Sequence, residues 1–254
     1  MTAPSSAPLH SVAPGLAVRG FTPPLRLGDF RLIAFDMDST LINIECVDEI
    51  AAAMGRGAEV AAITEAAMRG EITDFKDSLR RRVALLAGAT EAQLEQVWRE
   101  RLRLNPGADT LVRTARAAGL KVLLVSGGFT WFADRLRPLL GLDFARSNQL
   151  EMAEGRLTGR LLPQCWGDIV DGAMKRQTLL DVCSLLGIDP AQAIAVGDGA
   201  NDLEMMAAAG LSVAYHAKPR VREHARVLID EGGLDRLLHV LTPPGGAPAA
   251  AMPA

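Results

Sequence analysis

The amino-acid sequence predicts an α/β protein, a doubly wound parallel sheet with a helical cap inserted after its first strand. Three observations carry that expectation. Short apolar runs alternate with segments of helical period: "RLIAF" at 31–35, "LKVLLVS" at 120–126, "AIAVGD" at 193–198 and "LSVAY" at 211–215. Between the first two runs, residues 45–104 contain helical spacing only, as in Val47, Ile50, Ala51 and Met54, punctuated by Gly55, Gly57, Gly70 and Gly88. Polar loops rich in Asp, Ser and Gly follow the apolar runs, and open parallel sheets bind ligands beyond the carboxyl ends of their strands.

Taken in order, residues 1–28 are rich in Pro, Ala, Ser and Gly and are expected to be a flexible arm, as is the tail at 243–254. The core is expected over 29–44 and 105–242, and the cap over 45–104. Helices are expected at 108–118, from the Gly127-Gly128 turn through Leu140, and at 174–186, 201–208 and 233–241, with a hairpin turning at Glu154-Gly155.

The 254 residues suit one domain, or a core with a modest insertion. Apolar residues make up 49% but aromatics only 4%, so Ala, Leu, Val and Ile must fill the interior. A net charge of −3 carries no basic excess of the kind nucleic-acid binders show, and Arg80-Arg81-Arg82 by itself is a solvated helix face. Cys46, Cys165 and Cys183 have neither disulfide nor zinc spacing and fit a reducing cytoplasm. Neither a membrane-length apolar run nor a secretory leader is visible, so no membrane partner and a cytoplasmic location are expected.

Four loops carry chemistry. Asp36-Met37-Asp38-Ser39-Thr40 puts two carboxylates straight after the first strand, and "GDGAND" puts Asp198, Asn201 and Asp202 after another. Asp and Ser also favour turns and caps. Carboxylates gathered from two strand ends nevertheless repel unless a cation lies between them, and hard oxygen donors suit Mg²⁺. Phosphate is the usual companion of that ion. Ser126-Gly127-Gly128 offers a hydroxyl and free N–H groups suited to a phosphate. Lys175, at a helix start, gains meaning only from the other three.

These four elements, in this order, resemble the motifs of the haloacid dehalogenase superfamily of phosphatases, whose core is the Rossmann-like sheet expected above. The segments "DMDSTLINIECVDEIA", "SLRRRV", "SGGF" and "AVGDGANDLEM" are similar to its phosphoserine-hydrolysing branch, with the likeness running from about residue 30 to 240. The resemblance implies Asp36 as nucleophile and Asp38 as general acid and base. It implies Mg²⁺ on Asp36, the Asp38 carbonyl and Asp198, supported by Asp202. Ser126, Gly127, Lys175 and Asn201 would bind the phosphoryl group. Glu45 would face the substrate ammonium and Arg82 its carboxylate, with Met68 and Phe75 lining the apolar side. A small phosphorylated amino acid is the expected partner, and the sequence leaves the oligomeric state open. Transfer of the phosphate to another alcohol such as homoserine, a different small phosphorylated metabolite, and a non-catalytic phosphoserine sensor remain alternatives. The 28 residues before the core are too few for the regulatory domain that many relatives carry there.

Overall fold

A computed structural model describes residues 7–242, with the side chain of Met68 left aside. The chain begins with β1 (Leu9–Ala13), β2 (Leu16–Arg19), β3 (Leu25–Arg26) and β4 (Leu32–Phe35). Four helices follow: α1 (Cys46–Ala53), α2 (Gly57–Met68), α3 (Phe75–Ala84) and α4 (Glu91–Gln96). Then come α5 (Ala108–Ala117), β5 (Lys121–Phe129), α6 (Thr130–Leu140), β6 (Phe144–Ala153), β7 (Arg156–Leu162) and α7 (Gly172–Leu186). The chain continues through β8 (Ala193–Gly197), α8 (Leu203–Ala208), β9 (Leu211–Tyr215), α9 (Pro219–Arg222), β10 (Val227–Ile229) and β11 (Leu241–Thr242).

Nine strands form one sheet in the order β1-β2-β10-β9-β8-β4-β5-β6-β7. The run from β10 to β6 is parallel throughout, and the flanking strands are antiparallel. Strand alternation divides the buried side chains between two faces. Ile33, Phe35, Val122, Leu124, Ile194 and Val196 pack towards α5 and α6. Leu32, Ala34, Leu123, Val125, Ala193 and Ala195 pack towards α7 and α8. Strands covered on both faces need continuous apolar runs, which is why β4 and β8 read so clearly.

Register then positions the chemistry. Phe35 pairs with Leu124 on one side and Val196 on the other. Asp36, one residue beyond Phe35, therefore leaves the sheet beside Ser126 and Asp198, each two residues beyond its own paired position. Helices α1–α4 lie between β4 and β5 in sequence and join the core through two adjacent segments. Ile42 bridges Leu104, the Asn43 N–H donates to Arg103 O at 3.0 Å, and the Asn105 N–H donates to Leu41 O at 2.9 Å.

Several expectations need correction. The flexible arm expected over 1–28 is, from residue 9, an ordered hairpin, and β2 extends the sheet by pairing with β10. Composition hid a simple alternation: Leu16 and Val18 point inward and are 1% and 0% exposed, while Ala17 and Arg19 face outward. Strand β10 escaped notice because it is only three residues long. The helix expected at 233–241 is a 3₁₀ segment, Leu234–His239, followed by β11, which pairs with β3. Gly127-Gly128 is not a turn between elements but the last part of β5. The helix expected from 201 begins as a 3₁₀ turn, Ala200–Asp202. The expected hairpin is present as β6–β7, turning at Glu154 and Gly155 with φ of 51° and 74°, the paired positive values that suit a tight hairpin. The tail expected at 243–254 lies outside the described residues. No helix among the described residues is long and apolar enough to cross a membrane.

Candidate active site

The ends of β4, β5 and β8 form a floor centred on Lys175. This lysine lies in the first turn of α7, whose N-cap Asp171 accepts the Met174 N–H. Its side chain is fully buried, with Nζ 2.8 Å from Asp36 Oδ1 and 2.7 Å from Asp202 Oδ1. Asp36 Oδ1 also accepts the Met37 N–H at 2.7 Å, and Asp202 Oδ2 accepts the Gly199 N–H at 3.0 Å. Both oxygens of Asp202 are thus engaged, whereas Asp36 Oδ2 has no hydrogen bond among the described residues. Asp198 Oδ1 accepts from Thr40 Oγ1 at 3.2 Å. Carboxylate oxygens of Asp36, Asp198 and Asp202 lie within 4.8 Å of one another, all buried.

Three carboxylates packed together, two of them on Lys175, shift each other. Burial, then the charges of Asp36 and Asp202, push Asp198 up to about 7. Burial raises Asp202 to about 6, although Lys175 opposes it. Lys175 moves up as well: burial alone would lower it, and Asp202 and Asp36 outweigh that effect. Carboxylates crowded in this way are relieved by a divalent cation, and the donors are all hard oxygens, so the residues fit such an ion.

Asp38 stands beside the floor. Its Oδ2 accepts the Cys46 N–H at 3.0 Å, and its Oδ1 lies 3.1 Å from Cys46 Sγ. Burial, followed by the charges of Glu45 and Asp36, holds its carboxyl well above the ordinary range. Two backbone features make room. Ser39 turns the loop with φ of 56°, and Gly128 lies so close to Met37 that a Cβ there would stand 2.6 Å from Met37 Cε. The Ser126 hydroxyl is fully buried and accepts the Gly128 N–H at 2.9 Å.

The helices between β4 and β5 supply a roof. Glu45 precedes α1 and accepts from Ser39 Oγ at 2.7 Å, and burial raises its pKa. Phe75, the first residue of α3, reaches down to the floor: a Cβ on Gly127 would lie 3.1 Å from Phe75 Cζ. Arg82, near the end of α3, has a buried Nε without a hydrogen bond, and its charge is felt at Asp48 of α1.

A model of the haloacid dehalogenase-like hydrolases matches residues 30–210, which carry all of these groups. The chain belongs to that family. A phosphoserine phosphatase of Albidiferax ferrireducens is 68% identical over 233 residues, covering 92% of this chain and 98% of its relative. A second, from a Polaromonas strain, is 68% identical over 230 residues, covering 91% and 98%. Among solved structures, a substrate-bound phosphoserine phosphatase complex superposes with a TM-score of 0.77 at 36% identity, covering 84% of this chain and 99% of that one.

Set against the family's motifs, the fold gathers Asp36, Asp38, Ser126, Gly127, Lys175, Asp198 and Asp202 at one sheet edge. Asn201 stands beside them, its Oδ1 2.4 Å from where a Gly199 Cβ would be. Glu45 and Phe75 reach the same place, while Arg82 makes no ion pair among the described residues. The Met68 side chain lies outside the described residues. Asp202 is tied more directly to the hydrolase floor than a supporting role suggests, sharing Lys175 with Asp36.

Sequence reasoning missed four contributors. Thr40 and Cys46 orient Asp198 and Asp38, and only their place inside or beside the first motif hinted at it. Asn148 is fully buried and bridges Gly127 O at 2.7 Å and the Val170 N–H at 2.8 Å, a role that a polar residue inside a strand could have signalled. Lys218 approaches Asp198 Oδ2 at 3.8 Å from the loop after β9, where no motif drew attention to it.

Proposed function

We propose that this hydrolase removes phosphate from O-phospho-L-serine, giving L-serine and inorganic phosphate, through an aspartyl-phosphate on Asp36. The observation that carries the reading is the one-sided tethering of Asp36. Oδ1 is fixed by Lys175 at 2.8 Å and the Met37 N–H at 2.7 Å, which leaves Oδ2 as the oxygen free to attack. The 68% identical relatives named phosphoserine phosphatase supply the substrate.

Oδ2 attacks phosphorus, the bond from phosphorus to the serine oxygen breaks, and Asp38 gives its proton to the departing alkoxide. Asp38, now ionised, takes a proton from water as that water attacks the phosphorus of the acyl phosphate. Phosphate leaves, and both aspartates return to their starting states. A neutral Asp38 beside an ionised Asp36 is what this sequence needs, and the two residues differ in the required sense: Lys175 touches Asp36 and not Asp38. Ser126, the Gly127 N–H, Lys175 and Asn201 hold the phosphoryl oxygens.

Asp36, Asp198 and the Asp38 carbonyl would hold Mg²⁺, with Asp202 and Lys175 bracing them. Bound there, the ion screens the phosphate dianion from the attacking carboxylate. Glu45 pairs with the substrate ammonium and Arg82 with its carboxylate, a matched set for a zwitterionic head group. Phe75 packs over Gly127 and keeps water from that side of the pocket. Dephosphorylation of this substrate is the last step of serine biosynthesis, the role we assign in the cell.

Phosphate release across phosphorylated amino acids, sugars and nucleotides, with and without Mg²⁺, tests the reading. Phosphoserine should be preferred strongly and only with the metal present. A sugar phosphate turned over faster would contradict the assignment.

A further inference from the structure

The loop after β9 holds a conformation that needs an explanation. His216 has φ of 44°, a left-handed backbone that non-glycine residues adopt rarely and often at functional sites. It is held by its N–H donating to Ile229 O at 2.8 Å and by its Nε2, 2.8 Å from Gly232 O. The turn delivers Lys218, whose N–H donates to Asp198 O at 3.1 Å, and Pro219 then opens α9. The Lys218 backbone is thereby pinned on both sides.

Its side chain is not pinned. It is 62% exposed, and the nearest carboxylate oxygen, Asp198 Oδ2, is 3.8 Å away. Nζ makes no hydrogen bond among the described residues. Its charge nonetheless acts against burial at three carboxylates, Asp198, Glu45 and Asp48, opposing the rise in pKa that burial causes at each. An exposed pair at this separation is weak and readily exchanged for a better anion.

The mouth of the site has a charge problem. Glu45 and Asp48 of the roof face a substrate that carries a phosphate dianion. Lys175 is buried and already shared between Asp36 and Asp202. Arg82 is partly buried and assigned to the head group. We propose that Lys218 is the recruiting cation of this site: it leaves Asp198, meets the phosphate at the mouth and guides it towards Ser126 and Lys175. The assignment rests on the phosphatase reading above. Lys218 acts on capture of the substrate rather than on the bond that breaks, so its weight falls on KM and on the salt dependence of kcat/KM.

The test is steady-state kinetics of the full chain with O-phospho-L-serine and Mg²⁺ over a series of ionic strengths. Lys218→Met should raise KM about tenfold, with kcat changed less than about twofold, and should flatten the fall of kcat/KM with salt. Lys218→Arg should recover most of the loss. If Lys218→Met fails to fold, Lys218→Gln carries the same comparison. Unchanged KM and salt dependence would overturn the proposal. So would a fall in kcat at constant KM, which would mean that Lys218 merely braces Asp198. A wild-type protein that hydrolyses p-nitrophenyl phosphate but not phosphoserine would sink the substrate reading instead. The Lys218 variants would then be compared on p-nitrophenyl phosphate, which offers the dianion without the head group.

Discussion

On the floor of the site and directly beside it, Asp36, Lys175, Asp198, Asp202 and the neighbouring Asp38 each hold at least one short polar contact, from 2.7 to 3.2 Å. In the roof, Arg82 Nε and Asp48 Oδ1 are buried without any hydrogen bond. Leaving such an atom unpaired costs about 1–3 kcal/mol, so the roof holds in reserve what the floor has already satisfied. The floor is preorganised for chemistry that is the same for every phosphate ester. The roof, on the proposed reading, is left incomplete for an amino-acid head group that sugar and aryl phosphates lack. Rate should therefore be lost from below and specificity from above.

The sharpest break in that comparison is Asp36→Asn, which keeps the shape and removes the nucleophile. Turnover should fall by at least about a thousandfold while the melting temperature stays near that of the wild type. Phosphate-release kinetics and calorimetry check the two halves of that statement.

Lys175→Met attacks the floor's stability. It leaves Asp36 and Asp202 buried without their shared cation, which should cost about 3–5 kcal/mol in metal-free denaturant titrations. Added Mg²⁺ should recover part of the loss.

Arg82→Met probes the roof. It should raise KM for phosphoserine about 10–100-fold, the worth of a charged hydrogen bond, and leave an aryl phosphate without a carboxylate almost unaffected. Equal losses on both substrates would erase the distinction between floor and roof.

The smallest effect belongs to neither region. Asp143 accepts Lys121 Nζ at 2.7 Å and the Val122 N–H at 2.9 Å. Burial would raise its pKa, but these contacts outweigh burial and lower it. A depressed folded-state pKa gives stability that is present above the unfolded value of 3.8 and is lost as pH falls through the lower folded value. Asp143→Asn should cost about 1 kcal/mol at neutral pH, and the gap to wild type should close below about pH 4. Denaturation midpoints measured across that range would reveal it.

The floor was legible in the sequence because its parts obey local rules. Apolar runs such as Leu32–Phe35 specify buried strands, and the next residues must lie at their carboxyl ends. The register of β4 with β5 and β8 then brings Asp36, Ser126 and Asp198 together. The first hairpin was not legible. Its Pro- and Gly-rich composition outweighed a short alternation, and its partner β10 spans three residues. Asn148 and Lys218 depend on neighbours distant in sequence, so neither carries a local signal. The roof fell between these cases, since family motifs pointed to Glu45 and Arg82 while the orphaned atom of Asp48 is visible only in three dimensions.

Chemical trapping bears most directly on the account. Protein quenched during turnover of phosphoserine, reduced with borohydride and mapped by peptide mass spectrometry should carry a reduced acyl group at Asp36 alone. Reduction at another carboxylate, or none while phosphate is still being released, would contradict a reaction that passes through this aspartate.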